Sequence, residues 1–171
     1  TLALAFNRSG LSYAELIEGW STMGARRFGV YDYFGVYEWD YGMPDQSKVR
    51  FDYVLQAIPH FRKEWDVALF SAQSQASWGR YGPSMYVARK LLWDVDADAE
   101  AIYQEYFDSA FGRAAGRMRR LFDFWDSDSG GKLTDSNIAR WLNMMDEALE
   151  AGESDSSRVR RRLEDMAAYL H

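Results

Sequence analysis

The stretch Tyr31-Asp32-Tyr33-Phe34-Gly35-Val36-Tyr37-Glu38-Trp39-Asp40-Tyr41-Gly42 interleaves three carboxylates with aromatic rings. Glycoside hydrolysis needs that chemistry. Two carboxyl groups flank the scissile bond, one acting as acid and the other as base or nucleophile. Neighbouring rings supply stacking surface and help to raise the pKa of the acid. Asp32 is the first catalytic candidate and Glu38 the second, with Tyr33, Tyr37, Trp39 and Asp40 as substrate contacts. A second cluster, Phe70-Ser71-Ala72-Gln73-Ser74-Gln75-Ala76-Ser77-Trp78-Gly79, is polar and uncharged. Gln73 and Gln75 suit sugar hydroxyls, and Trp78 suits a stacking wall. The plainer alternative is structural: the acids cap helices or bind backbone, Ser77 caps a helix, and Trp78 joins the core.

A third cluster, Asp126 to Asn137, partly matches an EF-hand calcium loop. It has acids at the first and third positions, glycine at the sixth and an apolar residue at the eighth. Two ligands are degraded: Gly130 stands at the fifth position, and Asn137 stands where a bidentate Glu is expected. A helix-helix link with Asp135 or Ser136 as N-cap is favoured, and no metal or cofactor is expected.

The elements that must position these clusters have two grammars, meeting near Trp93. Residues 1–93 alternate. Leu2–Phe6, Phe28–Phe34 and Val67–Ser71 read as short buried strands. Ser12–Met23 reads as a helix with a Ser12/Glu15 capping box. Val49–Lys63 carries Val54, Ala57, Ile58 and Phe61 on one helical face, with Pro59 expected to kink or split it. A further helix is expected from Pro83. This order is the signature of a parallel α/β sheet, so both chemical clusters would lie at C-terminal strand ends, where such folds place ligands. Thr1 opens directly on an apolar run, like a strand entered midway, which suggests a piece of a longer protein.

Residues 94–171 are helical throughout. Stripes at Ile102/Tyr103/Tyr106/Phe107, Met118/Leu121/Phe122/Trp125, Ile138/Trp141/Leu142/Met145 and Val159/Leu163/Met166/Leu170 each mark one buried face. The short links between them favour an antiparallel bundle. The basic run Arg158–Arg162 reads as a solvated helix face.

Composition narrows the classes. The length of 171 residues suits one domain, or a domain with an appendage, and is too short for a whole (β/α)8 barrel of about 250 residues. A net charge of −6 argues against a general nucleic-acid binder. Cysteine is absent and there are two histidines, so thiolate and multi-histidine metal sites are disfavoured. No apolar run approaches the roughly 20 residues of a membrane span. Aromatic content is high, with 7 Trp, 11 Tyr and 10 Phe. The rings on helical stripes read as core, and the smaller set at strand ends favours sugar binding.

At Tyr31-Asp32-Tyr33 with Trp39 and Pro44, and at Tyr86-Val-Ala-Arg-Lys-Leu-Leu-Trp93-Asp94, the sequence resembles a known family. Tyr106-Phe107, Phe111-Gly112, Ala114-Ala115 and Met118 continue the likeness. It is similar to the bacterial glycoside-hydrolase-like proteins catalogued as domain of unknown function DUF4838, over roughly Gly24 to Trp125. The resemblance implies the last strands of a partial (β/α)8 (TIM) barrel over residues 1–93, followed by a helical bundle extension over residues 94–171. It further implies secretion or a periplasmic location, a polysaccharide or oligosaccharide substrate, and a partner in the remaining barrel. The family pattern carries a glutamate near Gln73-Ser74-Gln75; Gln cannot serve as general acid or base, so the resemblance implies either Asp32 or Glu38 working with a partner outside this chain, or a protein that is not a hydrolase. The alternative from another class is a non-catalytic carbohydrate-binding or scaffold module.

Overall fold

A computed structural model describes residues 12–34, 51–74, 78–127 and 129–170. The order is α1 (Tyr13–Thr22), β1 (Phe28–Tyr33), α2 (Phe51–Lys63), β2 (Val67–Gln73), α3 (Trp78–Trp93), α4 (Ala99–Phe111), a 3-10 turn (Gly112–Ala114), α5 (Ala115–Asp126), α6 (Asp135–Gly152) and α7 (Ser157–Leu170).

Local chemistry sets the helix ends. At α1 the Glu15 amide donates to Ser12 Oγ at 3.2 Å, and the Ser12 amide donates to Glu15 Oε2 at 2.6 Å. This is the expected capping box. Asp98 caps α4 by accepting from the Glu100 and Ala101 amides, both at 3.0 Å. Thr134 caps α6, one residue ahead of the expected Asp135 or Ser136. Both helix prolines are tolerated: α2 runs through Pro59 without splitting, and α3 starts at Trp78, before Pro83. Gly112 ends α4 at φ +49°, a conformation that suits glycine, and the Asp155 carboxylate sits against it to accept from the Arg113 amide at 2.7 Å.

The sheet corrects the barrel expectation. β1 and β2 pair in parallel, with Val30 opposite Phe70 and Asp32 opposite Ala72, and they are the whole sheet among the described residues. The chain is otherwise mainly helical, so a partial (β/α)8 (TIM) barrel is not supported. The expected strand Leu2–Phe6 lies outside the described residues. The physical reason is local. Two parallel strands joined by a helix make one β-α-β unit, which is common to many folds, and alternation along the chain does not dictate closure. After β2 the chain enters a stack of helices and adds no further strand among the described residues.

One large core joins the sheet's inner face to the helices. It includes Phe34, Val54, Ile58, Val87 and Leu91 together with Phe107, Met118, Leu121, Phe122, Trp125, Trp141 and Leu163. A smaller cluster of Val30, Ala57, Phe61 and Val67 packs with Ile17, Phe28 and Trp65. The outer face of the sheet is open: Leu69 is 67% exposed and Tyr31 55%.

Candidate active site

Strand alternation divides the expected site residues. Asp32 shares the buried inner face with Val30 and is itself buried. Tyr53, in the first turn of α2, donates its hydroxyl to Asp32 Oδ2 at 2.5 Å. Tyr31 faces outward and donates to Gln73 Oε1 at 3.2 Å. Asp32 and Gln73 therefore serve opposite faces of the sheet, and the structure does not join them in one cluster.

The remaining candidates scatter. Tyr33 ends β1 opposite Gln73, and its side chain lies outside the described part. Tyr37, Glu38, Trp39, Asp40 and Gln75 also lie outside the described residues. Trp78 opens α3 and lines a cavity of about 570 Å³ with residues of α4 and α7, and Asp32 is not among the lining residues.

Sequence reasoning missed Tyr53. A signal was present, because Tyr53 stands one turn ahead of Ala57 on the inward stripe of α2 and so points toward the sheet. It also missed the frame behind α2. Asp126, ending α5, accepts from Arg80 Nη2 at 2.6 Å and from the Phe51 amide at 3.4 Å. Arg80 is 4% exposed, and its guanidinium lies over Trp125 at 5.2 Å and Tyr81 at 5.7 Å. The Phe51 ring stacks on Tyr103 at 4.1 Å. Tyr103 in turn donates to Asp123 Oδ1 at 3.1 Å. Burial, then the charges of Asp123 and Asp126, push the Tyr103 phenol far above its usual range. Burial also raises the Asp123 carboxyl, against the hydrogen bond from Tyr103 and the charge of Arg119.

Residues 2–123 match the family described as Domain of unknown function (DUF4838). The chain belongs to this family. No curated protein matches it, and neither does any solved structure. The family description assigns no activity, so chemistry must be read from the site.

In this DUF4838 chain the calcium-loop likeness has another cause. Asp126 is engaged by Arg80, and Asn137 Nδ2 donates to the Ser129 and Lys132 carbonyls, both at 2.8 Å. Trp141 Nε1 donates to the Gly130 carbonyl at 3.1 Å. A Cβ on Gly131, the sixth-position glycine, would lie 2.6 Å from the Trp125 carbonyl oxygen, so that glycine answers a close backbone approach. Among the described residues no group of three or more Asp, Glu, His or Cys is arranged to hold a metal ion. No described helix is long and apolar enough to cross a membrane.

Proposed function

We propose that this chain acts on carbohydrate through carboxylate chemistry, as a bacterial glycoside-hydrolase-like protein working outside the cytoplasm on polysaccharide or oligosaccharide. The observation that carries the reading is Asp32 itself, a buried carboxylate near the C-terminal end of a parallel strand, aimed by the Tyr53 phenol at 2.5 Å. Asp32 is assigned the role of nucleophile or base, and Tyr53 is its positioning residue. The reaction also needs an acid to protonate the leaving oxygen, and Glu38, six residues further on, takes that role. The strand places Asp32, and the helix that follows supplies the phenol.

The test is reducing-sugar release from cellulose, xylan, mannan and chitin. Asp32→Asn is expected to lower turnover by about 100-fold or more while the far-UV spectrum and Tm hold. Tyr53→Phe should lower kcat more than it raises KM. Full turnover by a folded Asp32→Asn protein would overturn the catalytic reading.

A second reading, a non-catalytic sugar-binding module, draws on the outer face, where the exposed Tyr31 ring pairs with Gln73. It predicts that Tyr31→Ala weakens oligosaccharide binding and that Asp32→Asn leaves it unchanged.

A further inference from the structure

The cavity that Trp78 lines lies where the start of α3 meets α4 and the end of α7, with a volume of about 570 Å³. That size is typical of small-ligand sites. Its lip is aromatic and open on both sides, with Trp78 41% exposed on α3 and Tyr169 46% exposed on α7. Tyr86 and Tyr106 stand behind them, their rings 5.7 Å apart. Tyr106 is seated deeply, because Gly82 leaves room for its hydroxyl where a Cβ would overlap it.

The polar groups in this cavity are few and of both signs. Arg162 and Asp165 lie three residues apart on α7 and so share one face. Arg162 is held in place by donating Nη1 to the Ala110 carbonyl at 3.1 Å. Burial raises the Tyr106 phenol, and the Arg162 charge opposes that rise.

This mixture selects among ligand classes. A wholly apolar ligand would cover Arg162 and Asp165 without hydrogen-bonding them, which is costly. An anion would meet Asp165, and a cation would meet Arg162. A neutral polyhydroxyl ring suits groups of both signs: its C–H face stacks on the aromatic lip, while hydroxyls, which donate and accept alike, meet the carboxylate and the guanidinium. We infer that the cleft between α3, α4 and α7 is a saccharide-binding subsite, with Trp78 and Tyr169 as its stacking platforms and Arg162 and Asp165 as its hydroxyl clamp. It shares the carbohydrate class with the catalytic reading above but does not draw on Asp32, Tyr53 or Glu38, so the two can fail separately.

The test is titration of the folded chain with cellohexaose, xylohexaose and chitohexaose, followed by calorimetry and by the indole N–H resonances. At least one oligosaccharide is expected to bind and to move the Trp78 indole signal. Trp78→Ala should weaken that binding by about tenfold. Tyr169→Ala and Asp165→Asn should each weaken it several-fold, and Asp32→Asn should leave it unchanged. Trp78 and Tyr169 are surface side chains, so Tm should stay close to that of the parent chain and separate lost binding from lost folding. The inference is overturned if none of the three oligosaccharides binds. It is equally overturned if Trp78→Ala and Tyr169→Ala bind as the parent does, or if binding vanishes with Asp32→Asn alone. In that last case the Asp32 reading stands and this one falls.

Discussion

Large apolar side chains meet different fates in the two regions of this molecule. In the helical region Phe107 is fully buried, its ring 5.0 Å from Tyr103 and 5.4 Å from Phe122. In the strand-helix region Leu69 and Tyr31, on neighbouring strands, stand mostly in solvent. Residue type does not separate them. Each bundle helix has neighbours on its apolar side, whereas among the described residues the sheet has helices packed on its inner face and an outer face left open. Parallel sheets are ordinarily covered on both faces. Most of the buried apolar surface lies in the helical stack, while the strand pair brings Asp32 against Tyr53.

Three measurements would break or sharpen this contrast. The largest expected effect is Phe107→Ala, which leaves a cavity among rings and should cost about 3–5 kcal/mol in denaturant unfolding. A loss under about 1 kcal/mol would show that the bundle core is not the main source of stability. Next is alkaline sensitivity. The Tyr103 phenol is raised in the folded state, so above its ordinary pKa of 10.0 the unfolded chain loses that proton while the folded chain keeps it. Stability is then fully present below pH 10 and falls as pH rises beyond it, by at most about 1.4 kcal/mol per pH unit from this group. Tyr103→Phe should flatten that part of the profile, and an unchanged slope would place its origin elsewhere. The smallest effect is Leu69→Thr on the open sheet face, expected within about 0.5 kcal/mol. A large loss there would mean that the outer face is covered in solution.

Legibility followed the range of the interaction. The Ser12/Glu15 box was readable because a helix terminus is decided within four residues. Thr134 lost out to its neighbours because four capping residues, Thr134 to Asn137, stand in a row. The start of α3 was hidden by Trp78-Gly-Arg-Tyr-Gly82, whose two glycines weaken helix propensity although packing overrides it. The partial barrel came from reading strand-helix alternation as global topology, which alternation alone does not carry. At the candidate site Asp32 was visible as a strand-end carboxylate. Its phenol partner lies 21 residues away, and Arg80 and Asp126 lie 46 apart, beyond what local patterning conveys.

The Asp126 carboxylate bears on where this chain can be cut. The family match ends at residue 123, three residues short of it. A piece trimmed to the matched span would bury the Arg80 guanidinium with no counter-charge and remove Trp125 from beneath it. It would also deprive the first amide of α2 of its acceptor, two residues from the phenol that aims Asp32. The family-matched segment and the packed unit thus have different borders, and a shortened protein meant to isolate the site should extend at least through the end of α5.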